Sequence, residues 1–382
     1  MKVKILLHFI FFLSGIATVF IGQVLPILTA KFGLSDLQAG NFFPAQLTGS
    51  LIGTYLTDWF GKKGKLGTAA WIGGFMMAAG LLLINFDSYA ICLLGFLING
   101  IGIGLTLPAI NILILEMNPT RSAAALNILN FFWGVGAIVS KPFVDLTAAP
   151  SNIIATITIL AIPLLAGAAL LLLFSSELKE SMHTESDATS ETPIWRMPIA
   201  WMIAFFNFIH VGFESGMGGW ITSYTERTEP SAAAIGLISP TLLFFLFFVI
   251  GRGTAPIFVR FLSTNSMLLA SLFVILAGLL ITIASQTITG IAVGSAITGF
   301  GTSTVFPTNV SRFSQTFGPG ALRRAMPLFI CGTLGATVIT WLIGYVSDAT
   351  GSLRSGMAVL VFSIVVLIVV QIILSMRTMR KV

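Results

Sequence analysis

The sequence predicts an all-α polytopic membrane protein of twelve transmembrane helices in two pseudo-symmetric six-helix bundles. Three observations carry this. Of 382 residues, 56% are hydrophobic and only 9% charged, where soluble domains carry roughly 25% charge. Twelve segments are long enough to cross about 30 Å of hydrocarbon as helix, which takes about 20 residues. The glycines and prolines of the first half return in the second.

The predicted spans are residues 5–30, 41–60, 66–85, 89–115, 123–147, 152–174, 199–224, 233–250, 266–285, 288–310, 324–347 and 356–376. The opening run has the basic start and apolar body of a signal peptide, but apolar character continues to Thr29 and further segments follow, so it reads as a retained first helix. Between the sixth and seventh spans, residues 175–198 are rich in Ser, Thr and Glu and cannot bury an apolar face, which predicts a flexible or surface-lying cytoplasmic linker. The expected domains are therefore an N-terminal bundle over 1–174, the linker over 175–198 and a C-terminal bundle over 199–382.

Placing the N-terminus inside puts sixteen Lys and Arg on inner connections, Arg252 and Arg312 among them, against Lys31, Arg227 and Arg354 outside. That bias predicts both termini in the cytoplasm. The net charge of +6 is scattered singly between apolar runs, which reports topology and argues against nucleic acid as a partner. Cys92 and Cys331 fall inside spans and suggest neither a disulfide framework nor a metal site.

The halves match at a fixed offset. Gly95, Gly100, Gly102 and Pro108 of the fourth helix recur 199 residues later as Gly294, Gly299, Gly301 and Pro307, and Gly136-Ala137 recurs as Gly335-Ala336. Parallel repeats of this size mark two bundles that rock about a site near the bilayer midplane. The copy is imperfect: at an offset of 198, Gly53 meets Gly251 and Lys62 meets Arg260, but Asp58 meets Pro256.

The third, sixth, ninth and twelfth helices are almost purely apolar, which suits lipid-facing positions. Candidate chemistry lies on the others: Gln23, Asn41, Gln46, Asn130, Asn207, His210, Glu214 and Asn309. Spacings of three and four put Asn207, His210 and Glu214 on one helical face. An acid at membrane depth is costly, so Glu214 should face the interior and pair, bind a cation or stay protonated. His210 could bond it or relay a proton, or the three could form a structural polar cluster. Lys141 could attract an anionic group or pair with Asp145 at i+4. Trp133 and Trp220 offer apolar ring faces for stacking on a sugar, although Trp also anchors helices at the interface.

The spacing Gly53, Asp58, Gly61, Lys62, Lys63, followed by a tight basic turn, resembles the loop between the second and third helices of the major facilitator superfamily. The seventh helix, through Gly212, Glu214, Gly219, Trp220 and Tyr224, and the tenth, through Pro307 and Thr308, resemble its branch of fucose-proton symporters and sodium-dependent glucose transporters. The resemblance implies the major facilitator fold, with helices one, four, seven and ten lining a central cavity and the Gly53 to Lys63 stretch acting as a conformational gating loop. It also implies a functional monomer in the plasma (bacterial inner) membrane. The chain departs from that branch where the first helix offers only Gln23, the fourth has no acid above Glu116, and Phe96 stands where many proton-coupled members carry arginine.

The expected function is secondary active transport of a small polar solute, a sugar, by alternating access. Gln23, Asn41, Gln46, Asn130, Trp133, Lys141, Asn207, Trp220 and Asn309 are the candidate substrate residues, and Glu214 with His210 the candidate ion-coupling pair. The expected partners are the solute and the lipid bilayer, with no cofactor beyond a coupling H⁺ or Na⁺. No phosphate-cradling loop, catalytic triad or metal-ligand spacing appears, so neither an enzyme nor an ATP-driven pump is expected. The alternatives are an exporter of amphipathic drugs, lipids or organic anions using Lys141, and a non-transporting membrane receptor.

Overall fold

The computed structural model describes residues 2–118, 122–149, 152–174, 194–229, 239–318 and 321–379. The chain divides into two compact units, Met1–Ser186 and Asp187–Val382. In hydrocarbon every backbone N–H and C=O must be satisfied within its own segment, and long helices do this.

Unit 1 contains α1 (Lys2–Phe32), the short α2 (Asp36–Gly40), α3 (Phe42–Lys62), α4 (Leu66–Leu83), α5 (Tyr89–Glu116), α6 (Ser122–Thr147) and α7 (Ile154–Leu173). Unit 2 contains α8 (Pro198–Thr228), α9 (Pro240–Val259), α10 (Thr264–Ala284), α11 (Ile288–Thr302), α12 (Val305–Phe317), α13 (Met326–Thr350) and α14 (Leu353–Met379). Among the described residues, ten stretches are long and apolar enough to cross a membrane, with α11 and α12 counted as one. The more polar α3 and α6 bring the spans to twelve.

Polar side chains cap some of the helices. Ser35 and Gln38 form a reciprocal capping box at α2, and the side chains of Ser88, Ser263 and Thr287 accept backbone N–H groups at the starts of α5, α10 and α11. The α13 helix ends at Gly351, whose φ of 67° favours a residue without Cβ.

The same four pairings recur in both units. In unit 1, α1 packs on α6, α3 on α5, α4 on α5 and α4 on α7; in unit 2, α8 packs on α13, α9 on α11, α10 on α11 and α10 on α14. The repeated glycines are where these backbones touch. A methyl group on Gly100 would strike the carbonyl of Gln46 in α3, and one on Gly299 the carbonyl of Phe244 in α9. Likewise Gly136 abuts the carbonyl of Phe12, and Gly335 that of Phe208. Small residues at membrane-helix interfaces allow this approach, which gains van der Waals contact that lipid cannot supply as well.

Two expectations are corrected. The tenth span is interrupted at Ser303 and Thr304, whereas its counterpart α5 passes Pro108 unbroken. The eighth runs on to Val259, so Arg252 lies within a helix, and Arg312 lies on α12; neither is a connection residue. Residues 175–193 of the expected linker lie outside the described residues, and Ile194–Arg196 at its end forms a 3₁₀ turn with Ile194 buried.

Candidate functional site

Helix α8 presents Asn207, His210 and Glu214 on one face, as their spacing requires. Asn207 is buried and donates through Nδ2 to the carbonyl of Leu328 in the first turn of α13 (2.9 Å), while its Oδ1 is buried without a hydrogen-bond partner. His210 is fully buried, and neither ring nitrogen has a hydrogen-bond partner. Its Nε2 lies 3.6 Å from a Glu214 carboxylate oxygen, close enough for electrostatic attraction but long for a hydrogen bond. The Glu214 side chain is 26% exposed, so the acid is reachable from outside the packed core.

Arg252 of α9 completes this cluster. Its positive charge acts on both Glu214 and His210. The guanidinium carbon stands 4.1 Å from the centroid of the Phe248 ring, a cation–π contact, and its Nε is buried without a hydrogen-bond partner. A carboxylate and a guanidinium in one membrane site offset each other's desolvation, which an isolated charge cannot do. The sequence did carry a signal for Arg252: the apolar run resumes at Ala255 and continues to Val259, so the helix need not end at Ile250.

A second polar centre surrounds Asn309. Its Nδ2 donates to the carbonyl of Ile203 (3.3 Å) and its Oδ1 accepts from the guanidinium of Arg312, one turn along α12. Arg312 also donates to Gln371 Oε1 of α14 (2.6 Å) and lies over the Phe206 ring at 4.7 Å. Gln371 in turn faces Asn265 and Ser375. Neutral amides and an aromatic face thus hold this buried cation.

In unit 1, Gln46 donates to Asn99 Oδ1 (3.1 Å) and lies 3.4 Å from the carbonyl of Ala17, and Asn99 donates to the carbonyl of Met77 (3.2 Å). Gln23 is buried in α1, with Nε2 3.4 Å from the carbonyl of Val19. Asn41 joins α2 to α3 and donates to the Tyr89 hydroxyl (3.2 Å). Asn130 is exposed and donates back to Leu126 of its own helix (2.9 Å); Trp133 is half-buried, its backbone close against Gly15. Lys141 is buried and paired with Asp145 along α6. In unit 2, Trp220 is fully buried, with its indole N–H given to the carbonyl of Thr340 (2.9 Å).

The Gly53 to Lys63 motif spans the last half of α3 and its C-cap. Gly53 is buried against the α5 backbone at Gly104. Asp58 and Lys62 form an i,i+4 ion pair at 2.8 Å with both side chains largely exposed. The Lys63 ammonium stands 3.6 Å from the centroid of the Trp59 ring. Gly61 sets its small face against Leu66, and Gly64, at a φ of 63°, turns the chain into α4.

With this geometry described, comparison with known proteins is informative. The sodium-dependent glucose transporter 1 of Xenopus laevis is 27% identical over 332 residues, covering 78% of this chain. The chain spans 66% of the length of that relative. Among solved structures, the nucleoside transporter NupG superposes with a TM-score of 0.73 at 15% identity, covering 98% of each chain. FucP, a major facilitator transporter in an outward conformation, superposes with a TM-score of 0.66 at 20% identity, covering 97% of this chain and 98% of that one. The profile of the Major Facilitator Superfamily matches residues 7–329. Twelve spans among the described residues, a repeated packing plan and a family match over most of its length make this chain a member of the Major Facilitator Superfamily.

Proposed function

We propose that the protein is a secondary active transporter of a small polar solute, a sugar, working by alternating access in the plasma (bacterial inner) membrane as a monomer with both termini in the cytoplasm. One observation supports this most: Glu214, a partly exposed acid on a spanning helix, stands beside a buried His210 and within the field of Arg252. A charge at membrane depth carries an insertion cost of about 2.5–3.5 kcal/mol on translocon scales, and residues of this kind mark solute and ion pathways. Glu214 with His210 is the proposed coupling pair, for H⁺ or Na⁺.

Gln23, Gln46, Asn130 and Asn309 supply amides, which both donate and accept and so match the hydroxyls of a sugar. Asn41, Trp133 and Asn207 are held as supporting substrate residues, whereas Trp220 is fully buried with its indole N–H given to Thr340 and presents no ring face to a solute. Gln46 and Asn309 already have protein partners, so a solute would share or displace Asn99 and Arg312. The glucose transporter among the relatives is consistent with this solute class. Export of an anionic solute through Lys141 is the weaker reading, because Asp145 satisfies that lysine within its own helix.

The test is accumulation of labelled hexoses by full-length protein in vesicles under an imposed H⁺ or Na⁺ gradient. Glu214→Gln should abolish uphill accumulation while the purified protein still folds. Accumulation at the wild-type level by that variant would remove Glu214 from the mechanism.

A further inference from the structure

Helices α8 and α9 bring three ionisable side chains to one place in unit 2. Gly218 of α8 lies against the Phe245 ring of α9. Glu214 stands one turn back along α8 and His210 a turn further, while Phe248 and Arg252 follow Phe245 along α9, which returns in the opposite direction. The Phe248 ring is buried and stacks on Phe244, and the Arg252 guanidinium rests 4.1 Å from its centroid. A cation held on a ring face uses none of its N–H donors there.

Among the described residues those donors meet no acceptor. The Arg252 Nε is buried without a partner, and Glu214 acts on Arg252 through its field, without an ion-pair contact. Glu214 itself has the 3.6 Å approach of His210 Nε2, and both His210 nitrogens and Asn207 Oδ1 are buried without hydrogen bonds. Buried polar atoms left unpaired are costly, and several on one helical face mark a place that a polar molecule fills.

The charges narrow what that molecule is. Helix α8 packs on α9, α11, α12, α13 and α14, and among their described residues the charged group acting on Glu214 and His210 is Arg252. Arg312 is taken up by Asn309, Gln371 and the Phe206 ring. With Glu214 ionised, a carboxylate arriving at Arg252 meets a like charge. With a proton on Glu214 and His210 neutral, the guanidinium is left to pair with the newcomer, and its planar fork fits a carboxylate through two parallel hydrogen bonds. A Na⁺ ion at Glu214 would instead stand beside a like-charged guanidinium.

We infer, on the reading of Glu214 as the coupling acid of a sugar transporter, that Arg252 binds the carboxylate of an acidic sugar, a hexuronate or aldonate, and that a proton from bulk water enters on Glu214 with it. The hydroxyls of such a solute pair with His210 and Asn207, which a small inorganic anion cannot reach at the same time. Proton and anion together carry no net charge, so the transport is electroneutral.

The experiment gives full-length protein in sealed vesicles an inward proton gradient with labelled D-glucuronate, its methyl ester or D-glucose, the membrane potential being clamped at zero or inside-negative with K⁺ and valinomycin. Glucuronate uptake should be driven by external acid and unchanged by the potential, and the ester and glucose should compete with it about thirtyfold more weakly than glucuronate itself. R252Q should weaken glucuronate about thirtyfold, and R252K, which keeps the charge and loses the fork, about tenfold. If both variants misfold, the comparison of acid with ester on the unaltered chain decides. Glucose uptake driven by the potential, with glucuronate no better than its ester, would overturn the assignment and leave a neutral-sugar symporter standing. Undiminished glucuronate uptake by folded R252Q would also overturn it, and no uptake of any of the three solutes would overturn both the assignment and the sugar reading.

Discussion

The Thr57 hydroxyl lies 3.0 Å from the carbonyl of Gly104, the carbonyl whose usual helical donor Pro108 lacks. It also reaches the carbonyls of Leu105 and Gly53, each at 3.1 Å, so its hydrogen is shared among acceptors that converge on it. Helix α5 passes its proline intact. In the second copy the position matching Thr57 is Ala255, which has no hydroxyl, and there the span is interrupted at Ser303, four residues before Pro307. The two copies thus differ both in the side chain facing the proline's open carbonyl and in the continuity of the helix.

Thr57→Val should therefore strand a buried carbonyl at a cost of about 1–3 kcal/mol. Thermal melting would report the loss, and hydrogen exchange should quicken around Leu105 to Leu107. An unchanged protection pattern would mean that Pro108 needs no help from α3.

Gly100→Ala and Gly299→Ala should each destabilise their unit by about 1–3 kcal/mol or more, because the added methyl meets backbone on the facing helix. Gly253→Ala is the matched control. Nothing lies within 4 Å of the position its Cβ would take, so alanine there should be neutral or stabilise by up to about 1 kcal/mol. Equal effects at all three positions would show that the repeated glycines are not contact points.

Arg252→Met leaves Glu214 without its neighbouring cation, and Glu214→Gln leaves Arg252 without its acid. If the two offset each other's burial, E214Q/R252M should melt higher than R252M alone. Strict additivity in this double-mutant cycle would show that the two charges do not sense one another.

Asp58→Asn breaks an ion pair that is largely exposed, so it should change stability by less than about 1 kcal/mol. Under the proposed gating role, its transport rate should still fall sharply. A melting shift as large as the functional loss would instead make Asp58 a structural residue.

The fold was legible because length and hydropathy fix spanning helices almost one segment at a time, and because glycines such as Gly100 and Gly299 record close approach directly in the sequence. The polar centres were legible only in part. Spacing alone put Asn207, His210 and Glu214 on one face, since that is local helix geometry. Arg252 and Arg312 read as connection charges in the sequence because each lies near a predicted helix end, and the groups that let them stay inside come from distant segments. Gln371, which accepts from Arg312, is on a helix expected to face lipid. Trp220 looked available for a solute, yet Thr340, 120 residues on, holds its N–H.

Arg312 and Gln371 are separated by 59 residues, and a chain is synthesised in order. When α12 leaves the ribosome, α14 does not yet exist, and the guanidinium has only part of its eventual shell. Until α14 follows, the guanidinium has only Asn309 of its own helix and the Phe206 ring. A message truncated ahead of α14 should yield a chain with that cation unshielded, a substrate for membrane quality control instead of a stable eleven-span protein.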